Sequence, residues 1–208
     1  KWLNVGTKMS YTYRDTDENL ASIGGTSIWD SAIYLSPLIA ADAVKNPLST
    51  SGAKITMPTY SISEKTKNTI RSMFNIVGYA QAKLHKRLQF RTQVSFFRFD
   101  RNKYQYEPST LPSREDGLGG KAAREYYTEN KFTWDNTLTF TKTFAKRHGF
   151  KAMVGSAYYR FTNGSFSLSG QGYMVDDVKW NNMNAVQDKN TYTASTSAQN
   201  KQTLSFFA

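Results

Sequence analysis

Residues 131–144, KFTWDNTLTFTKTF, alternate between two kinds of side chain. Lys131, Thr133, Asp135, Thr137, Thr139, Thr141 and Thr143 are all polar, whereas Phe132, Trp134, Leu138, Phe140 and Phe144 supply apolar groups between them. A period of two puts successive side chains on opposite faces, so the segment predicts a β-strand. Its length is unusual, because strands in water-soluble domains run to about five or six residues. The same pattern recurs along the chain. Leu3, Val5, Met9, Tyr11 and Tyr13 share a face against Asn4, Lys8, Ser10, Thr12 and Arg14. Phe74, Ile76, Ala80, Ala82 and Leu84 oppose Asn75, Tyr79, Gln81 and Lys83, and Leu88, Phe90, Val94 and Phe96 oppose Gln89, Arg91, Gln93 and Ser95. The predicted strands are 2–14, 69–84, 88–100, 126–144, 150–161 and 202–208. A short helix is expected around SIWDSAIYL, 27–35.

The connections fall into two classes. Tight turns are expected at His85-Lys86-Arg87 and at AKRHG, 145–149. Irregular segments are expected over 15–67, 102–125 and 162–200, roughly 53, 24 and 39 residues long, far beyond the usual loop of a compact soluble domain. Short turns at one end and long loops at the other are the rule in outer-membrane barrels. Lipid cannot hydrogen-bond a backbone, so a spanning sheet must close on itself. Six strands fall short of the minimum of about eight. The expectation is therefore an all-β chain of antiparallel transmembrane β-barrel strands with long extracellular loops. The whole of 1–208 would be a partial barrel domain, and Lys1 reads as an internal position of something larger. A passive porin-like barrel, or a soluble secreted all-β binding protein, would show the same periodicity.

Composition changes the picture little. Mean hydropathy is −0.59 and no apolar run reaches 18 residues, which excludes a transmembrane helix but not strands that hide apolar residues at alternate positions. Aromatic residues make up 14%, as a barrel with aromatic girdles requires. There is no cysteine, which excludes disulfides and thiolate chemistry. The net charge of +11 raises nucleic-acid binding, but the basic residues are scattered apart from Lys86-Arg87 and Lys146-Arg147-His148, and no nucleic-acid motif accompanies them. No nucleic-acid partner is expected.

Candidate chemistry is sparse. Asp15, Asp17 and Asn19 begin an EF-hand spacing, but Leu20 stands where glycine is required and Thr26 where the closing glutamate belongs. GLGGKA, 117–122, fails as a phosphate-binding loop, with Glu115 in place of the first glycine and Ala122 in place of Ser or Thr. His85 and His148 fall in turns without triad or metal partners. Asn163-Gly164-Ser165 matches a glycosylation sequon, which by itself assigns no function. No nucleophile–base pair, carboxylate pair or metal set stands out, so neither an enzyme nor a cofactor is expected. Trp29, Tyr34, Tyr104 and Tyr106 lie in expected loops or strand tips, where their rings would stack on a sugar or peptide.

Residues 134–155, WDNTLTFTKTFAKRHGFKAMVG, resemble a recurring segment of SusC/RagA-type TonB-dependent transporters from Bacteroidetes outer membranes. That segment has an Asn-Thr-Leu-Thr strand, a Lys-Thr-Phe approach to the turn, a histidine, and an apolar return strand ending on glycine. KWLNVGTKMSYTY at the start, GYMVDDVKWNNMNAV at 172–186 and TLSFFA at the end fit the same order. The resemblance implies a piece of a barrel of about 22 strands and a nutrient importer for oligosaccharide or peptide. It further implies outer-membrane lipid around the barrel, a SusD-like surface lipoprotein as lid, and drive from TonB. The implied plug and TonB box are not visible in this sequence.

Overall fold

The computed structural model describes residues 2–18, 58–111, 119–144, 148–187 and 189–208. Six strands account for most of them: β1 (Leu3–Asp17), β2 (Thr66–His85), β3 (Leu88–Glu107), β4 (Gly120–Phe144), β5 (His148–Tyr173) and β6 (Thr193–Phe207). One helix, α1 (Pro58–Glu64), precedes β2, and three short 3-10 segments lie between Asp176 and Thr191. The strands form one antiparallel sheet in the order β1-β2-β3-β4-β5-β6. Among the described residues, β1 and β6 pair on one side only, so the sheet is an open piece of a barrel wall.

Each of the six strands overlaps a stretch of alternation and runs on beyond it. β3 continues to Glu107 and β4 begins at Gly120, inside the segment expected to be irregular. β5 continues to Tyr173 and β6 begins at Thr193, so only the middle of 162–200 is a loop. The physical reason is plain. Thr193–Lys201 is polar or small on both faces, so no hydrophobic period marks it, and in Thr162–Gly170 only Phe166 and Leu168 interrupt a run of Ser, Thr, Asn and Gly. The backbone ladder runs through them in unbroken register from Ser169↔Thr193 to Gly155↔Phe207. The expected helix at 27–35 lies outside the described residues.

The turn between β2 and β3 is two residues, Lys86 and Arg87. Neither has positive φ, so the turn is not the mirror-image type that matches strand twist unaided. A register shift between Lys83 and His85 takes up the mismatch, and His85 Nδ1 accepts from the Arg87 amide at 3.3 Å. His85 is thus a turn-forming residue.

The register fixes the faces. Gly78, Val94, Trp134, Tyr158 and Leu204 stand in one cross-strand row, and Ala82, Phe90, Leu138 and Val154 in a parallel one. This apolar face has nothing on it: Val94 is 40% exposed, Val154 50% and Leu204 61%. The buried apolar residues of the described chain are Tyr106, Leu111, Ala122, Tyr173 and Val186, and those that share its parity, Tyr106 and Ala122, lie past the apolar stretch toward the long connections. So small a core cannot hold a sheet of this size in water. Lipid against the apolar face resolves the contradiction.

The upper edge of the apolar face confirms this geometry. The last large apolar residue before the face turns polar is Tyr13 on β1, Phe74 on β2, Phe96 on β3, Phe132 on β4, Tyr158 on β5 and Leu204 on β6. Followed through the register from β1 to β6, that edge shifts toward the short-turn end by two, two, none, two and none, six residues or ~20 Å in all, over five inter-strand steps totalling ~24 Å. A horizontal membrane surface cut by strands tilted about 40° gives this slope, and such barrels tilt their strands by about 35–45°.

Candidate functional site

Two regions have the chemistry to meet a solute: the polar face and the end of the sheet that carries the long connections. The polar face follows from the alternation. On it the strands place about a dozen lysines and arginines against Glu18, Glu107, Glu125, Glu129 and Asp135. Among the described strand residues the opposite face carries only Arg98, Arg124, Lys142 and Arg160 against Asp15, Asp17 and Asp100. The net positive charge is therefore concentrated on the wall that faces inward in a barrel. Charge that looks scattered along the chain is sorted by strand parity.

Aromatic rings interleave with those cations. Lys131 Nζ lies 5.3 Å from the centre of the Phe97 ring and 5.8 Å from that of Phe161, on the strands to either side, and pairs with Glu129 at 2.6 Å. Arg91 lies over Tyr79 at 5.3 Å, and Arg101 over Tyr127 at 5.5 Å. Ser95 and Thr133 hydroxyls meet across β3 and β4 at 2.5 Å. The result is a wall of charged and hydroxyl groups braced by rings, suited to weak, repeated contact with a polar solute. Sequence reading missed this set because its members are brought together only by register.

At the long-connection end, the segment from Met174 to Tyr192 folds back on β3, β4 and β5. Tyr106, Ala122, Tyr173 and Val186 are buried there, with Val178, Trp180, Met183, Ala185 and Tyr192 packed against them. Tyr106 and Tyr173 meet edge to face at 5.8 Å. The Tyr106 hydroxyl donates to Asp176 Oδ1 at 2.6 Å, and Asp176 also accepts from the Ser109 hydroxyl at 2.9 Å and the Ser109 amide at 3.1 Å. Burial, joined by the neighbouring carboxylate, pushes the Tyr106 phenol well above its ordinary range. For Asp176, burial alone would raise the pKa, but the hydrogen bonds from Tyr106 and Ser109 outweigh it and hold the carboxyl below its ordinary value. Gly119, at φ +63°, is where β4 can begin so close, since a Cβ there would sit 2.7 Å from the Tyr173 carbonyl oxygen.

Of the four aromatics expected to stack on cargo, Tyr104 and Tyr106 stand on the same face of β3, opposite the polar one. They share the parity of the lipid-facing residues, beyond the membrane band, and the returning segment packs on Tyr106 and reaches Tyr104 through Trp180. Tyr106 is 2% exposed, so its ring packs this segment instead of meeting solute. Tyr104 lies between Trp180 at 5.6 Å and the Arg124 guanidinium at 5.1 Å. Trp29 and Tyr34 lie outside the described residues. No group of histidines and carboxylates able to hold a metal occurs among the described residues, and no helix there is long and apolar enough to cross a membrane, which says nothing of strands.

An open antiparallel sheet with one face for lipid, one polar face and tilted strands defines a segment of a large membrane-barrel wall. Comparison with solved structures gives the particular likeness. The chain superposes on a structure of the RagAB peptide importer in the "open-open" state with a TM-score of 0.78 and 17% identity, over 99% of this chain and 23% of that one. The "closed-closed" state of the RagAB peptide importer matches with a TM-score of 0.78, 16% identity and coverages of 99% and 24%. A further structure of the RagAB peptide transporter gives 0.73, 16%, 98% and 23%. At these identities the likeness is one of fold, and this chain spans under a quarter of the length of the chains it matches. No protein-family model matches the sequence, and no curated protein matches it.

Proposed function

We propose that the chain is a barrel-wall segment of a TonB-dependent nutrient importer of the SusC/RagA type in a bacterial outer membrane, taking up peptide or oligosaccharide. One observation carries the reading: the diagonal edge of the apolar face, which marks six strands tilted through a bilayer with a polar, cationic wall behind them. The likeness of fold to a peptide importer supports it, and favours peptide of the two cargoes. In this reading a plug and TonB box elsewhere in the whole protein gate the lumen. A SusD-like lipoprotein covers the long-connection end and hands over cargo, with Trp29 and Tyr34 among the loop aromatics that meet it. The packed segment at Met174–Tyr192 stiffens the rim on which such a lid rests.

The test uses the full-length protein. It should be recovered from the outer-membrane fraction, fold into lipid vesicles, and move labelled peptide or oligosaccharide only while the inner membrane is energised. Recovery in the aqueous phase after detergent phase separation would overturn the membrane reading. Uptake that continues after the proton gradient is collapsed would leave a passive porin.

A further inference from the structure

One feature of the polar face goes beyond a general surplus of charge. Arg14 of β1 lies directly opposite Arg71 of β2, which lies directly opposite Arg101 of β3. Directly opposed residues in a ladder are about 4.5–5.5 Å apart, and like charges so placed repel. A row of three guanidiniums on adjacent strands is therefore a cost unless something negative sits on it. This chain supplies one such group: Glu18 Oε1 accepts from Arg71 Nη2 at 2.9 Å. Among the described residues no carboxylate pairs Arg14 or Arg101. Arg101 is braced on the Tyr127 ring, and its Nε is buried with no hydrogen-bond partner. Beyond Tyr127 the same row continues into the hydroxyls of Ser165 and Ser197, which bond each other at 2.7 Å.

Height decides what the row meets. Arg14 comes one residue after Tyr13, Arg71 three before Phe74 and Arg101 five after Phe96, so all three stand just past the apolar edge on the side of the long connections. In a barrel that side is extracellular. A solute entering from outside meets this row before it reaches the middle of the wall. Guanidinium groups bind carboxylates in pairs of parallel hydrogen bonds, as Glu18 already does in part.

Resting on the importer reading, we infer that Arg14, Arg71 and Arg101 form a carboxylate-binding row at the outer mouth of the lumen, and that the cargo it selects is anionic. The carboxylate has two possible sources, an acidic peptide and a uronic-acid oligosaccharide.

The test compares full-length wild type with the double variant R14Q/R101Q, which leaves the Arg71–Glu18 pair in place. The probes are a glutamate-rich peptide, its glutamine counterpart, and an oligogalacturonide, each titrated at low and high salt. R124Q/R160Q removes equal charge from the opposite face and serves as the control. Wild type and R124Q/R160Q should prefer the acidic peptide, or the uronate, over the neutral peptide. R14Q/R101Q should lose about tenfold or more of that preference and most of its salt dependence. The probe that shows the effect identifies the source. An unchanged preference in R14Q/R101Q overturns the inference, as does an equal loss for acidic and neutral probes, which would assign the row to the plug. Energised uptake of the neutral peptide with no carboxylate preference would overturn this inference and leave the importer reading intact. No binding and no uptake of any probe by wild type would overturn both.

Discussion

Leu138 and Thr139 are neighbours on β4 that point to opposite faces, and an arginine at each should have opposite consequences. Leu138 stands between Phe90 and Val154 in the lipid-facing row, and Thr139 between Gln89 and Met153 on the polar face. Along β4, Leu138 is six residues from Phe132 and six from Phe144, the aromatics that bound the apolar stretch. At a rise of about 3.3 Å per residue and a tilt of about 40°, each residue advances about 2.5 Å along the membrane normal. Leu138 is then about 15 Å from either edge, close to the midplane. An arginine on the lipid face costs about 2–4 kcal/mol at the midplane and about 0–1 kcal/mol near the interfaces. Leu138→Arg should therefore lower the folding constant in lipid vesicles by about thirty-fold to several hundred-fold. Thr139→Arg places the same side chain in the wet lumen, beside no directly opposed cation, and should cost under about 1 kcal/mol. The assay is denaturant unfolding of the full-length protein in vesicles, followed by the gel shift between folded and boiled forms. Equal losses, or a larger loss for Thr139→Arg, would refute the assignment of faces and the transport reading built on it.

Other expectations follow from single contacts. A Cβ at Gly155 would sit 2.7 Å from the Asn136 carbonyl oxygen and against the Phe207 ring, so Gly155→Ala should destabilise by about 1–3 kcal/mol in the same unfolding assay. Gly78→Ala has open space and should be neutral or stabilising by up to about 1 kcal/mol, as glycine is a poor strand residue. The Asp176 carboxyl has a folded pKa below its unfolded value near 3.9. Its contribution is therefore complete above about pH 4 and lost as pH falls through the folded value. Hydrogen-exchange protection of residues 174–192, corrected for intrinsic rates, should fall in that acid range, and Asp176→Asn should abolish the dependence. Tyr106→Phe removes one of the bonds to Asp176 and should weaken the same protection by about 1 kcal/mol.

How much of this was written in the chain depends on where along each strand one looks. Between Phe132 and Phe144 the lipid demands apolar groups and the lumen demands polar ones, so the period of two is forced into the sequence. Past the bilayer both faces are wet and the demand disappears. Thr193–Lys201 is strand all the same, paired along its length with Phe161–Ser169 by backbone bonds that any side chain permits. The aromatics Tyr104 and Tyr106 show the limit in another way. Their residue type suggested stacking on solute, but their parity, continued from Phe90 and Phe96, already placed them on the outward face. Reading parity through the loop end would have assigned them to packing.

The arginine row was hidden for a different reason. Arg14, Arg71 and Arg101 are separated by tens of residues, and nothing local connects them. Pairing register connects them, and register in turn is held by the apolar face, where a slip of one residue would turn every lipid-facing group into the lumen. The side of the sheet that meets lipid thus sets the alignment of the side that meets solute. Six strands with a greasy back can hold three mutually repelling cations in line because the cost of slipping is greater than the cost of the repulsion. It follows that weakening the apolar face near the row should loosen the row's selectivity before it unfolds the wall. Substituting a lipid-facing residue such as Phe74 or Phe96, which meet at 6.4 Å across β2 and β3, is the perturbation that separates the two effects.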